Sequence, residues 1–317
     1  MARPLRIIYP GAFYHVTSRG NEKKDIFKSR RDREKFLEYL ASAAERYGAV
    51  IYAYCLMSNH FHLFMQTPEG NLSQVMQHII GAYTTYFNIK RKRAGHLFQG
   101  RYKSVLVEAD EYSAELTRYI HLNPVKAGIT GKADEYQWSS YRAYIGAAPT
   151  PEWLKPRFIL VSFGKSEPIS RKNYRDFVDK LDIEAYESPL KSAVGGSVLG
   201  SPAFIEEITE TYLNERGADK DIPALRHFSN RQPLEEIITF AKEAMKNNEK
   251  LARQVGIYLC HKYSGAPLKE IADKFDVGIT AIGEASKRIQ KKMEEDNALQ
   301  KLIGTLTTKI NKWKMES

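Results

Sequence analysis

The stretch AVIYAYCLMSNHFHLFMQT, residues 49–67, decides the fold that the sequence predicts. Residues 49–57 are rich in β-branched and aromatic side chains, which is typical of a buried strand. Ser58 and Asn59 form a turn signal, and residues 60–67 follow as a second apolar strand. Two such runs joined by a two-residue turn predict a β-hairpin.

Strands and helices alternate on both sides of this hairpin over about the first 145 residues. Hydrophobic positions at helical spacing follow Ser29, which is a suitable N-cap, and Pro124 is expected to end the last helix of this region. The order β-α-β-β-α-β-α predicts an α+β fold with helices packed on a mainly antiparallel sheet. The predicted elements are strands at residues 11–19, 49–57, 60–67 and 102–108 and helices at residues 29–47, 71–90 and 111–123.

The composition is that of a globular protein. The 317 residues include 43% hydrophobic and 27% charged side chains, which excludes a mostly disordered or collagen-like chain and suggests two or three domains. The two cysteines, Cys55 and Cys260, form no CxxC pair, as expected in a reducing cytoplasm. The sequence has no apolar run of about 18 residues and no secretory signal, so we expect a cytoplasmic protein without membrane association.

Changes in local pattern predict three segments. Residues 1–145 carry the α+β domain. Residues 146–233 contain several prolines and a Gly-Gly-Ser loop, and are interpreted as a linker with a partly helical extension. Residues 234–317 show helical periodicity without strand patterns and predict an all-helical domain.

The charge of the chain indicates a polyanionic partner. The sequence has 48 Lys and Arg against 38 Asp and Glu, a formal net charge of +10. Most of this excess lies in residues 1–145. Basic proteins favour nucleic acids, so the first segment is where we expect nucleic acid to bind.

Two histidines, His60 and His62, form the sharpest local feature. Residues i and i+2 of a strand point to the same face, about 7 Å apart, so two imidazoles can converge on one divalent metal. Alternatively, these are two unrelated histidines of a chain that has 8. Their position beside Asn59, on an apolar strand, adds weight to the metal site, but from these residues alone both interpretations stay open.

A second feature is YIHLNP, residues 119–124. Tyr119 and Asn123 are four residues apart on a predicted helix and share a face. An amide oxygen suits Mg²⁺ or Mn²⁺, and a phenol beside such a metal can attack a phosphate that the metal polarises. From these residues alone, the simpler interpretation is a packing tyrosine and an asparagine that caps the helix.

These motifs resemble those of a known family. The stretch SNHFHL, residues 58–63, resembles the HUH motif of single-tyrosine transposases, and residues 119–124 resemble the signature of their REP-associated tyrosine transposase branch. The stretches YHVTSRGN, residues 14–21, and LFQGRYKS, residues 97–104, are similar to the same branch. The resemblance spans about residues 4–145 and implies a ferredoxin-like or RRM-like sheet that carries the two histidines.

The resemblance also implies a reaction and roles for individual residues. Tyr119 would be the catalytic nucleophile, which attacks a phosphodiester of single-stranded DNA, forms a 5′-phosphotyrosine and frees a 3′-OH. His60 and His62 would be metal ligands, and Asn123 the third ligand of a divalent metal, Mg²⁺ or Mn²⁺. The implied activity is cleavage and strand transfer on hairpin-forming repeat DNA. Because only neutral imidazoles bind a metal, metal affinity is expected to weaken as the pH falls through about 6.5.

A basic run interleaved with aromatic residues follows the predicted helix at residues 71–90. Basic groups neutralise phosphates and aromatic rings stack on unpaired bases, so we expect contact with DNA, although a solvated helix end is the usual fate of such a run. The predicted DNA-binding residues of the first segment are Arg19, Lys90, Arg91, Lys92, Arg93, Phe98, Arg101, Tyr102 and Lys103.

The C-terminal region predicts a helix-turn-helix. A short helix over residues 268–275 is followed by a turn at residues 276–278 and by a longer helix that carries Lys287 and Arg288, which we expect to bind DNA. A plain helical bundle is the alternative. Residues 234–294 resemble the C-terminal DNA-binding domain of the replication initiator DnaA, but they lack its Asp-His-Thr-Thr signature, which argues against DnaA-box specificity.

Three functions are compatible with these features. The leading one is a transposase that binds single-stranded and hairpin DNA at the nucleoid, as a monomer or a homodimer. A non-catalytic, domesticated transposase that regulates by binding DNA is the first alternative, and a metal-dependent nuclease that uses water is the second. The complete set of His60, His62, Tyr119 and Asn123 favours chemistry over binding alone, and a nuclease that uses water has no need of Tyr119.

Overall fold

The computed structural model describes residues 5–183, 186–213, 224–225, 234–245, 248–264, 266 and 268–316, with residues 311–316 described by their backbone alone. It divides the chain into two compact units, Met1–Asn214 and Glu215–Ser317. The predicted intermediate segment, residues 146–233, is divided between the two units, and part of it lies outside the described residues. The functional division into three segments stays a prediction.

The first unit has the predicted α+β fold. The strands and helices expected between residues 11 and 123 are all present in the predicted order. The strands of this unit are β1 Ala12–Arg19, β2 Val50–Leu56, β3 His60–Thr67, β4 Lys103–Val107 and β5 Val198–Leu199. Its α-helices are α1 Arg30–Tyr47, α2 Leu72–Lys90, α3 Ala109–Lys126, α4 Tyr141–Tyr144, α5 Arg157–Leu160, α6 Glu167–Asp179 and α7 Pro202–Tyr212.

The sheet has the strand order β2-β3-β1-β4-β5. The first four strands are antiparallel, as predicted, and β5 adds a short parallel strand beside β4. Residues that pair across neighbouring strands point to the same face. Thr17 pairs with His62, and Arg19 pairs with His60. The end of β1 and the start of β3 therefore form one corner of one face of the sheet.

Helices cover both faces of the sheet. On one face α1 packs through Phe36, whose ring centroid lies 4.8 Å from that of Phe61. On the other face α3 buries Leu116 and Ile120 in the same hydrophobic cluster as Phe64. Because side chains alternate along β3, the two histidines that flank Phe61 lie on the face that α3 covers.

Helix α3 does not end before Pro124 as predicted, but continues to Lys126. A proline removes one N–H donor from a helix. Here the loss falls in the last turn, where the N–H of Ala127 still donates to the carbonyl of Asn123. Tyr119 and Asn123 therefore remain on regular helical geometry, one turn apart.

Residues 138–179 belong to the first unit and pack against β2 and α3. Ser139 pairs with Cys55 and covers the free edge of β2, which would otherwise be open to pairing with another chain. Further along, Tyr174 of α6 is fully buried in the cluster that also contains Ile120 of α3. Much of the predicted linker thus contributes to the hydrophobic core around α3.

The second unit is helical throughout its described part, as predicted. It contains α8 Leu234–Ala244, α9 Glu249–Tyr263, α10 Leu268–Phe275, α11 Ile279–Glu295 and α12 Asn297–Glu316. A tight turn separates α10 from α11 at the predicted position and has Asp276 at a φ of 47°. That these helices form a DNA-binding helix-turn-helix stays a prediction. In the described part of the chain, no helix is long and apolar enough to cross a membrane.

Candidate active site

The two predicted metal-binding histidines lie at the start of β3, and their ring centroids are 5.0 Å apart. The Nδ1 atom of His60 lies 2.6 Å from Oδ1 of Asn59. An amide oxygen only accepts, so Nδ1 of His60 carries the proton and Nε2 keeps its lone pair. This is the tautomer that can bind a metal through Nε2.

A third histidine, His15 of β1, joins the pair, although it is not among the predicted site residues. Its Nε2 atom lies 2.9 Å from Nδ1 of His62. The other ring nitrogen of His62, Nε2, is buried and has no hydrogen-bond partner among the described residues. A buried polar atom without a partner costs free energy, and an external group that binds there, such as a metal, would remove that cost. We call His15, His60 and His62 the histidine cluster.

Tyr119 packs against this histidine cluster. Its ring centroid lies 5.7 Å from that of His62 and 6.1 Å from that of His15, and both contacts are edge-on. The side chain is half-buried. The fold therefore brings together two histidines from β3 and a tyrosine from α3 that were predicted to share one site.

Asn123 lies one helical turn after Tyr119. Its Nδ2 atom donates to the backbone carbonyl of Tyr119 at 2.8 Å. This bond orients the amide, and its Oδ1 atom makes no hydrogen bond within the part of the chain that the structure describes. Asn123 thus offers a free carbonyl oxygen, although no direct contact joins it to the histidine cluster.

All three histidines are held neutral by their surroundings. Burial disfavours the charged imidazole and lowers the pKa of His15 to about 3. The pKa of His60 is lowered to about 4 by burial and by the nearby charge of Arg19. Burial and the neighbouring histidines hold the pKa of His62 well below its ordinary value. Neutral imidazole is the form that binds a metal.

The donor atoms of this site fit a divalent metal. A lone pair is available at Nε2 of His60, and Nε2 of His62 has one in the tautomer in which its Nδ1–H donates to Nε2 of His15. A neutral oxygen is available on Asn123. Among the described residues, no group of three or more His, Cys, Asp or Glu side chains is arranged to hold a metal ion. Further ligands would therefore be oxygen atoms of water and substrate, which Mg²⁺ and Mn²⁺ prefer.

Two exposed cations lie near the histidine cluster. Arg19 pairs with His60 across β1 and β3, and Lys103 of β4 pairs with Thr17. By the alternation of side chains, both cations lie on the same face of the sheet as the histidines. Neither forms a salt bridge within the described ranges, so both are available for a phosphate group.

Lys90 and Arg91 are not free to bind DNA as predicted, because both are bound to Asp32. The carboxylate of Asp32 is buried, and its two oxygens lie 2.6 Å from Nζ of Lys90 and 2.6 Å from Nη2 of Arg91. Burial disfavours the charge of Asp32, but these hydrogen bonds outweigh burial and lower its pKa to about 2. The two cations anchor the end of α2 to the start of α1.

The two aromatic residues of the predicted DNA-binding set are also used inside the fold. Phe98 is buried against Phe61 and Tyr83, at centroid distances of 6.1 and 6.4 Å. Tyr102 is buried beneath Arg6, whose guanidinium carbon lies 3.9 Å from the ring centroid. Neither ring is placed to stack on a base, which corrects the prediction for both. The other predicted cations, Lys92, Arg93, Arg101, Lys287 and Arg288, are exposed.

Comparisons with known proteins concern the first unit. Residues 9–123 match the family model described as "Transposase IS200 like". A REP-associated tyrosine transposase of Haemophilus influenzae is 26% identical over 131 residues, which cover 37% of this chain and 73% of that relative. Among solved structures, a REP-associated tyrosine transposase bound to a REP hairpin is 16% identical, with a TM-score of 0.40, and the match covers 49% of this chain and 92% of that chain.

The match to the family model and the match to the relative confirm the resemblance stated for residues 4–145. The resemblance of residues 234–294 to the C-terminal domain of DnaA stays a prediction.

Proposed function

We propose, on the premise that residues 9–123 form an IS200-like transposase domain, that this chain cuts and joins single-stranded DNA with Tyr119 as the nucleophile. The observation that carries the proposal is the packing of the Tyr119 ring against His15 and His62, beside the buried Nε2 atom of His62 that lacks a partner in the described structure. A tyrosine that only packs in a hydrophobic core does not need a buried polar atom without a partner beside it, and such an atom costs free energy.

In the proposed reaction, the phenolic oxygen of Tyr119 attacks the phosphorus of a DNA phosphodiester. A bond forms between that oxygen and phosphorus as the phenol loses its proton, and the bond from phosphorus to the 3′-oxygen breaks. The 3′-oxygen takes up a proton and leaves as a free 3′-OH. Attack by a 3′-OH on the phosphotyrosine reverses these bond changes and joins strands.

A divalent metal, Mg²⁺ or Mn²⁺, bound at this site would polarise a non-bridging phosphate oxygen. His60 and His62 would hold it through their Nε2 atoms, and Asn123 through Oδ1. Asn59 and His15 hydrogen-bond to the Nδ1 atoms of the two ligands and so orient both rings.

Arg19 and Lys103 are proposed to bind the phosphates next to the bond that is cut. Arg19 lies beside His60 across the β1–β3 pair, and Lys103 lies one strand further along, beside Thr17, on the same face of the sheet. Charge-assisted hydrogen bonds to phosphate oxygens hold the strand in place and stabilise the developing negative charge. Lys92, Arg93 and Arg101 are proposed to contact the DNA further from this position.

We propose hairpin-forming single-stranded DNA as the substrate. The support is the resemblance of residues 119–124 to the REP-associated branch and the similarity to a relative described as a REP-associated tyrosine transposase. The exposed Lys287 and Arg288 of α11 are proposed to contact duplex DNA, following the helix-turn-helix prediction.

The test is incubation of the chain with a DNA hairpin that carries single-stranded flanks, in the presence of Mg²⁺ or Mn²⁺. We expect a covalent protein–DNA species that survives denaturation, together with a cut strand that a polymerase extends from its 3′-OH. Cutting without any covalent species would favour the nuclease that uses water. Binding without cutting would favour the non-catalytic regulator.

A further inference from the structure

His121 belongs to the YIHLNP stretch but takes no part in the proposed reaction. It is fully buried, and both of its ring nitrogens are hydrogen-bonded. Nδ1 lies 2.8 Å from the hydroxyl of Tyr174, and Nε2 lies 2.8 Å from the hydroxyl of Ser140. Because Tyr119 and His121 are two residues apart, they project from nearly opposite sides of α3, about 200° apart. Tyr119 faces the histidine cluster while His121 holds the other side of the helix.

The hydrogen bonds around His121 are all satisfied in one tautomer, with the proton on Nε2. The hydroxyl of Ser140 accepts from the N–H of Tyr54 at 2.9 Å and lies 3.2 Å from the carbonyl oxygen of Tyr54. When that hydroxyl donates to the carbonyl, Nε2–H of His121 donates to Ser140, and Nδ1 accepts from Tyr174. Every donor then has an acceptor. A continuous chain of hydrogen bonds thus runs from β2 through α3 to α6.

A second contact joins α3 to α6. Nη1 of Arg118 donates to the carbonyl of Phe177 at 3.2 Å, and the guanidinium carbon lies 3.9 Å from the centroid of the Phe177 ring. Arg118 and His121 are three residues apart on α3, as are Tyr174 and Phe177 on α6, so each pair lies on one helix face. Helix α6 therefore contacts α3 just before and just after Tyr119.

We propose that His121 is a positioning residue, which together with α6 fixes the rotation of α3 and so aims Tyr119 at the histidine cluster. Helix α6, residues 167–179, lies outside the residues 9–123 that match the transposase family model. The inference gives part of the predicted linker a role in the chemistry. The expected change in the rate of covalent-species formation rests on the proposed function of Tyr119. The expected change in the stability of α3 does not.

The geometry indicates how sensitive the site is to this contact. The hydroxyl of a tyrosine on a helix lies about 8 Å from the helix axis, given a Cα radius of about 2.3 Å and the length of the side chain. A rotation of α3 by about 10° would therefore move the hydroxyl of Tyr119 by about 1.4 Å. A misplacement of about 1 Å can slow a reaction about 100-fold.

The test compares Tyr174→Phe with Tyr136→Phe as a matched control. Both remove one buried hydroxyl, but the hydroxyl of Tyr136 donates to the carbonyl of Leu56 at 2.7 Å and does not reach His121. With saturating hairpin DNA and Mn²⁺, we expect Tyr174→Phe to slow the first-order formation of the covalent species about tenfold or more and to change the Kd for DNA less than about twofold. The control should change neither quantity more than about twofold.

A double substitution and hydrogen exchange complete the test. His121→Leu combined with Tyr174→Phe should be no slower than His121→Leu alone, because both break the same chain of hydrogen bonds. Amide hydrogen exchange over residues 116–123 should rise in Tyr174→Phe and stay unchanged in Tyr136→Phe.

Two results would overturn the positioning role. The first is a wild-type rate in Tyr174→Phe, or an equal slowing in both tyrosine variants, which would indicate a general loss of stability. The second is unchanged amide exchange of α3 in Tyr174→Phe, and this result can be obtained even if the wild-type chain forms no covalent species. The absence of a covalent species from the wild-type chain would refute the proposed function of Tyr119 but not the positioning role of His121.

Discussion

Nε2 of His15 lies 2.9 Å from Nδ1 of His62, so a histidine on β1 and a histidine on β3 are joined through their rings. The other ring nitrogen of His62, Nε2, points away from His15. It is buried and has no hydrogen-bond partner in the described structure. With His62 as the proposed metal ligand, His15 would orient that ligand without binding the metal itself, which is a common role for a hydrogen-bond partner of such histidines.

Replacing His15 by leucine should weaken metal binding without removing it. His15→Leu deprives Nδ1 of His62 of its partner, and we expect the Kd for Mn²⁺ to rise about 10- to 100-fold. Titration with Mn²⁺ followed by electron paramagnetic resonance measures this Kd. His78→Leu is the control, because His78 lies on α2 and bonds to Ser42 instead. An unchanged affinity in His15→Leu would show that the contact between His15 and His62 has no role in metal binding.

The surroundings of His60 change the pH dependence that we expect for metal binding. The pKa of His60 is about 4 because burial and Arg19 disfavour its charged form, whereas a free imidazole has a pKa of about 6.5. His60 therefore stays neutral at pH 5, and metal affinity should hold from pH 7 to about pH 5 and be lost as the pH falls through about 4. Between about pH 6.5 and pH 4 the unfolded chain binds protons that the folded site excludes. The free energy of unfolding should therefore decrease as the pH is lowered from about 6.5 to about 4.

Titration with Mn²⁺ at pH 7 and pH 5 checks this expectation. With a pKa of about 6.5, about three quarters of an imidazole is neutral at pH 7 and only about 3% at pH 5, so one such ligand alone would weaken binding about 25-fold. A loss of that size between the two pH values would contradict the burial of the histidine cluster.

Surface cations and paired cations should respond differently to substitution. Arg101→Ala and Lys103→Ala should weaken binding to DNA and each reduce the slope of log K against log salt concentration by about one. Lys90→Ala and Arg91→Ala should leave that slope unchanged but lower the free energy of unfolding by about 1–2 kcal/mol, because each removes a partner of the buried Asp32.

Fluorescence anisotropy at several salt concentrations and urea unfolding separate the two groups of variants. If Lys90→Ala reduces the slope of log K against log salt concentration as much as Lys103→Ala does, Lys90 contacts DNA after all.

The two compact units should carry separable functions. A chain that ends at Asn214 keeps the whole first unit, so we expect it to form the covalent species on a short hairpin at close to the wild-type rate. It lacks α11 with Lys287 and Arg288, and it should bind longer DNA with a duplex region more weakly and with a smaller salt dependence. Equal affinity of the full and the shortened chain for such DNA would favour a helical bundle with another role for the second unit.

Much of the first unit could be predicted from local sequence. The hairpin at residues 49–67 has both strands close to the predicted positions, and β3 runs from His60 to Thr67 as expected. Ser29 caps α1 by accepting from the N–H of Asp32 at 3.3 Å. These features depend on residues that are close together in the sequence. Alternation, helical periodicity and capping residues therefore predict them.

The features that escaped prediction depend on contacts between distant residues. His15 is visible in the sequence, but only the register between β1 and β3 brings it to His62. Lys90 lies in a run that is typical of a DNA contact, and only the packing of α1 on α2 places it on Asp32, 58 residues away. No periodicity in one sequence reveals such pairings. The positive-φ turn at Asp276, by contrast, follows a local Asp-Val-Gly signal.

The most direct measurement of the central claim is the yield of covalent protein–DNA species from Tyr119→Phe. The substitution removes one oxygen and keeps the ring that packs against His15 and His62. Tyr112→Phe is the matched control, since Tyr112 lies on the same helix and packs in the core around α3. We expect Tyr119→Phe to bind hairpin DNA and Mn²⁺ with close to wild-type affinity, yet to give no covalent species and no extendable 3′-OH, whereas Tyr112→Phe gives both. A covalent species from Tyr119→Phe, or cutting by it at the wild-type rate, would contradict the assignment of Tyr119 as the nucleophile.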